Sequence, residues 1–230
     1  MVSMIWEGLA KALGLIASGD RALVEITLRS LAVSGSATIL ASCWSIPLGA
    51  FIGLGKFRGR SLLKGAFNVL LAMPTVTLGL VLYLAFSRSG PLGFLHLLYT
   101  PTAIILGQSI LITPIIVSFV ANSLEAVDPE IKNLALTLGA SEVRANLTVR
   151  SESLNGVFLA VTASFNRAIA ELGVALMLGG NIRGVTRVLT TTIALETDRG
   201  GLALGIALTV VLLALVGAVN FLVGMARRRL

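Results

Sequence analysis

Residues 30–54 run for 25 positions without a single charge, and that feature decides what the chain can fold into. A charge-free apolar stretch of this length matches the roughly 20 residues a helix needs to cross a hydrocarbon layer about 30 Å thick. Further apolar runs follow at 66–86, 101–121, 154–178 and 202–225, interrupted by one charged pair within 154–178. The composition agrees, with 56% of 230 residues hydrophobic and 13% charged. Aromatics are few, at 6%, and no ten-residue alternation of polar and apolar positions occurs. A helical bundle is therefore expected rather than a β-barrel, the other spanning structure whose backbone polar groups are satisfied internally.

The expected architecture is one all-α, polytopic membrane domain over residues 1–230, a bundle of about five transmembrane helices. Residues 1–20 are too short to span; Ile5, Leu9, Leu13 and Ile16 share one face, and Glu7 and Lys11 are spaced to pair, so an interfacial helix is expected there. No basic segment and small-residue cleavage site mark the start, so the first span is expected to direct insertion itself. Pro47 is expected to kink that span, and Met73-Pro74-Thr75 falls near the middle of the second.

A net charge of +7 would suggest nucleic acid in a soluble protein, but here topology accounts for much of it. Lys56, Arg58, Arg60 and Lys64 crowd the first connection; Lys132, Arg144 and Arg150 lie in 127–153; Arg227, Arg228 and Arg229 follow the last span. Placing these ten of 18 basic residues inside puts the N-terminus outside with five spans, and no nucleic-acid partner is expected.

Several chemistries are excluded or left open. No phosphate-binding loop of the form GxxxxGK[ST] occurs, so nucleotide hydrolysis would belong to a partner. One histidine, His96, and one cysteine, Cys43, give neither a catalytic cluster nor a metal site; Cys43 is expected to be a buried, inert thiol and His96 a surface residue. Arg167 and Glu171 are opposite charges one turn apart inside the fourth run. They are either a self-neutralising ion pair or a polar element at a translocation path or dimer seam. Pro47, Pro74 and Pro114 free backbone carbonyls that could line a path, or simply kink their helices. Residues 183–200 carry Arg183, Arg187 and Arg199 with Thr190, Thr191 and Thr192, either donors for a tetrahedral oxyanion or a solvated connecting helix.

The longest polar interval is 127–153, VDPEIKNLALTLGASEVRANLTVRSES. Asp128-Pro129 reads as a helix start, Gly139 as its stop and Ser141 as the cap of a second helix from Glu142. This helix, glycine corner and helix resembles the cytoplasmic coupling loop of ABC importer permeases, whose pattern is Glu-Ala-Ala, three residues, Gly, then Ile-x-Leu-Pro. Aligned on Gly139, Ala135 and Val149 agree, whereas Asn133 stands at the acid and Glu152 at the proline. Together with FNRAIAELGVALMLGGNIRG at 165–184, the stretch resembles the molybdate, sulfate and tungstate branch, and GGNIRGVTRVLTTTIALETDRGG most resembles tungstate permeases.

The resemblance implies a homodimeric permease in the cell membrane, moving a tetrahedral oxyanion inward. It also implies two ATP-binding-cassette ATPase subunits, carrying the ATP and magnesium, and an extracytoplasmic binding protein. Asn133, Ala135, Leu138, Gly139, Ala140 and Ser141 would then contact the ATPase. Thr75, Ser109, Thr113, Asn166 and Glu171 are candidates for the path, since hydroxyls and amides hold a dianion loosely enough to release it. The alternative is a secondary carrier driven by an ion gradient, which would need intramembrane acids; Glu171 is the one candidate.

Overall fold

The computed structural model describes residues 2–127, 134, 136–145, 147 and 154–227. These are α-helical apart from turns and one 3-10 turn at Gly93–Leu95. In order the helices are α1 (Val2–Ala17), α2 (Arg21–Leu54), α3 (Arg60–Leu70), α4 (Thr75–Phe86), α5 (Pro101–Glu125), α6 (Leu154–Ile169), α7 (Gly173–Gly179), α8 (Leu189–Asp198) and α9 (Leu202–Arg227). Among them α2, α5 and α9 are long and apolar enough to cross a membrane alone, and α3 with α4 and α6 with α7 form bent pairs, giving up to five crossings.

α2 and α5 make the most extensive helix contact and form the centre of the bundle. The reason lies in α2, where Ser30, Ser34, Ala37, Ala41, Ser45 and Gly49 recur at helical spacing and are all buried. Small side chains let the two backbones approach closely, which is how helices associate where lipid is as apolar as the protein. Ala41 packs with Ile112, Ile116, Val120 and Leu124 of α5 and with Ala160 and Ala168 of α6. Cys43 departs from expectation. It is exposed, because two residues place it about 200° around the helix from both Ala41 and Ser45.

Each end of these helices has a local cause. Asp20 caps α2 by accepting from the Leu23 amide at 2.8 Å, so the helix begins nine residues before its charge-free run. Thr100 caps α5 with Pro101 at its first turn. At the other end of α2, the Arg60 guanidinium donates to the carbonyls of Ile52 and Gly53 at 2.7 and 2.9 Å. Those are carbonyls a helix C-terminus leaves without intrahelical partners. α1 lies against α9, with Gly8 facing Ile206; Leu13 and Ile16 are exposed. Glu7 and Lys11 form no ion pair among the described residues, since on an exposed helix face little holds two long side chains together.

Neither the second nor the fourth apolar run is one straight helix; a kink at Pro74 is among the expected outcomes, whereas the break in the fourth run is not. The second bends by 98° between α3 and α4. Pro74 has no amide hydrogen and disfavours helical backbone before it. The chain there tightens into i to i−3 bonds, from Ala72 to Val69 and from Met73 to Leu70, both at 3.1 Å. The fourth bends by 56° between α6 and α7, with no proline in it. The two breaks meet: a Cβ added at Gly173 would lie 2.8 Å from the Thr75 hydroxyl oxygen.

Candidate functional site

Glu171 sits at the second break. Its carboxylate is 2% exposed, accepts from the Val174 amide at 3.1 Å and takes a hydrogen bond from Arg167 Nη1 at 2.5 Å. The first contact caps α7 as an Asp or Ser would, and a capping side chain needs its own backbone outside the helix. Its backbone carbonyl, freed by the break, accepts from the Thr190 hydroxyl at 2.8 Å. One turn back, Gln108 of α5 donates to the Ala168 carbonyl at 3.0 Å and accepts from Ser34. The bend is thus tied to α2, α5 and α8, and the sequence-expected pair of Arg167 with Glu171 is present.

The threonine run is not a solvated connecting helix. Thr190, Thr191 and Thr192 are buried, and each hydroxyl donates to a backbone carbonyl: Thr190 to Glu171, Thr191 and Thr192 to Val188. Such bonds let a threonine sit in an apolar interior, and they also use the hydrogens that were candidates for an anion. The loop before α8 is fixed as firmly. Arg29 donates to the carbonyls of Gly184 and Arg187 at 2.9 and 3.2 Å, and Arg187 reaches the Asn181 side-chain oxygen at 3.3 Å.

The other path candidates are distributed unevenly. Thr75 opens α4 at the junction with Gly173 and so stands level with the α6–α7 break. Asn166 donates to Asn220 of α9 at 2.9 Å, while its own oxygen is buried without a partner among the described residues. Ser109 is fully buried and donates to Leu106. Thr113 accepts from the Trp44 indole at 2.9 Å, beside an apolar groove of ≈ 300 Å³ that also takes in Met73 and Pro114.

At the other end of α5, the connection to α6 presents a corner. Leu138 and Gly139 close a helical turn through amide bonds to Leu134 and Leu136, both at 3.0 Å. Gly139 has φ +88 and open space around it, a backbone conformation that favours glycine. Ser141 then caps the next turn, accepting from the Arg144 amide at 3.4 Å. Leu138 is 79% exposed, and Ala140 follows the turn half-buried. Asn133 and Ala135 lie outside the described residues.

Sequence reasoning missed the groups that tie the end of α5 to α2 and α3. Glu125 ends α5 and pairs with both Arg60, at 2.6 Å, and Lys64. It is an acid ending an apolar run, in a chain with a basic cluster elsewhere, and that contrast was the available signal. Gln108, a lone amide in an apolar run, was legible in the same way. Among the described residues no three His, Cys, Asp or Glu side chains come together as metal ligands would.

The family model described as binding-protein-dependent transport system inner membrane component matches residues 45–230. The chain is similar to the tungstate uptake system permease protein TupB of Peptoclostridium acidaminophilum, 39% identical over 94% of this chain and 95% of that protein. It is 35% identical to TupB of Campylobacter jejuni, over 97% and 94%. The molybdenum transport system permease protein ModB of Haemophilus influenzae is more distant, at 29% over 68% and 74%.

Proposed function

The chain belongs to the family of binding-protein-dependent transport system inner membrane components, and we propose that it is the membrane subunit of an ABC importer for a tetrahedral oxyanion, tungstate first and molybdate or sulfate next. The observation that carries this reading is the near full-length similarity to tungstate uptake permeases. Two copies enclose one path, two ATP-binding-cassette ATPases bind on the cytoplasmic side, and a binding protein delivers the anion outside. Each bent pair counts as one crossing, giving five with the N-terminus outside, and α1 lies at the interface beside α9.

The corner from Leu138 to Ser141 contacts the ATPase. An exposed leucine beside a left-handed glycine suits insertion into a groove, and Glu125, Arg60 and Lys64 tie the end of α5, from which the connection leaves, to α2 and α3. Movement of the corner is thereby passed to the bundle as a rigid body. The test is anion-stimulated ATP hydrolysis by the complex reconstituted with its binding protein, comparing tungstate, molybdate and sulfate. Stimulation by tungstate at the lowest concentration is expected; transport by the lone chain on an ion gradient would overturn the reading.

A further inference from the structure

Arg167 is a charge with more donors than partners. Of the five N–H groups on a guanidinium, one is engaged by Glu171, and among the described residues nothing else accepts from it. The side chain is 38% exposed, whereas Glu171 is 2% exposed. Asn166, next to it in sequence, donates to Asn220 of α9, which is exposed.

Depth matters here. Ala168 is bonded to Gln108, seven residues into α5, and Asn166 to Asn220, seven residues from the end of α9, so Arg167 lies about 10 Å in from the nearer end of each helix. A guanidinium at such depth is too costly to face lipid and must face water or protein. A helix break is tolerated at such depth under the same condition. The break is answered by protein on the side of α5 and α8, so it is Arg167, 38% exposed, that points to a polar lumen on the open side of the bend.

We propose that Arg167 is the group the oxyanion meets inside the membrane, with Glu171 as an internal stand-in that holds the guanidinium between passages. This rests on the importer reading above. A dianion's second charge strengthens its attraction to the guanidinium, and the Val174 amide, which donates to the other carboxylate oxygen, is there to keep Glu171 partnered when Arg167 turns away. The pair is neutral at rest, so the path carries no fixed net charge that would trap its cargo.

Two measurements on the reconstituted complex test it. In the wild-type complex, phenylglyoxal should modify Arg167, followed by mass spectrometry of the peptide, and saturating tungstate should slow that modification at least fivefold. An Arg167 that is never modified, or that tungstate does not protect, overturns the proposal.

The second measurement is tungstate uptake by Arg167→Gln, Glu171→Gln and the double variant. Arg167→Gln should lose uptake, and Glu171→Gln should lower the half-saturating tungstate concentration while slowing turnover. The double variant leaves no unpaired charge, so an ion pair serving structure alone predicts recovery of uptake, whereas an anion contact predicts continued loss. Uptake by the double variant near the wild-type rate overturns the proposal while leaving the importer reading intact. A wild-type complex that moves no oxyanion removes the importer reading itself.

Discussion

The bend between α6 and α7 and the corner at Gly139 both interrupt helices, yet they are built in opposite ways. At the bend, the carboxylate and carbonyl of Glu171 are both answered by other parts of the chain, and the residue is 2% exposed. At the corner, Leu138 is 79% exposed and a Cβ on Gly139 would meet nothing. Polar groups packed between helices, as those of Glu171 are, must be satisfied by the protein itself because water does not reach them. A corner in water can leave an apolar side chain uncovered, at a cost that a partner recovers on docking. Substitutions at the bend should therefore appear in stability, and substitutions at the corner in association.

Glu171→Ala would break the contrast most severely. It removes the cap of α7 and leaves Arg167 without its counter-ion, a loss on the order of 3 kcal/mol, at the lower end for a buried pair because Arg167 is partly exposed. Thermal unfolding in detergent should show a clear fall in Tm; an unchanged Tm would mean that the bend is held by packing alone. Gly139→Val is next. Left-handed backbone at φ +88 should cost a β-branched residue about 1–2 kcal/mol, absorbed locally as the turn rearranges. The expected result is a folded permease that no longer retains the ATPase on co-purification.

Thr190→Val sharpens the same comparison with a smaller effect. It removes the donor to the Glu171 carbonyl while keeping the shape, and an intramembrane hydrogen bond averages about 0.6 kcal/mol. A small drop in Tm with ATPase retention unchanged is expected. Leu138→Ser should change Tm least, since exposed substitutions usually stay within about 0.5 kcal/mol, while weakening ATPase retention. Equal loss of stability in Leu138→Ser and Thr190→Val would erase the distinction between the two regions.

Much of the fold was legible because lipid imposes a simple demand, long apolar runs between charged connections. All five expected runs are helical, and the corner glycine was visible from its place between a capped turn and a helical one. The break at 170–172 was not legible. Its local sequence, Ala-Ile-Ala-Glu-Leu-Gly-Val, contains no proline, and an acid four residues after an arginine reads as a pair along one straight helix. That Glu171 instead caps a new helix depends partly on Thr190, which accepts the role of donor to the freed carbonyl from a different helix. The exposure of Cys43 was missed because an apolar run in a membrane protein does not say which face looks inward.

By itself the sequence determined the class of protein and the number of apolar runs, because both follow from composition and length against a layer of fixed thickness. It also fixed the helix-breaking proline at 74 and the glycine at 139, whose backbone preferences are local properties of the residue. Only the tertiary structure decided which polar groups meet. Arg29 with the carbonyls of Gly184 and Arg187, Gln108 with Ala168 and Glu125 with Arg60 each join distant parts of the chain. A hydrogen bond reaches about 3 Å, so such partners are set by how whole helices pack, and no periodicity within one helix records that.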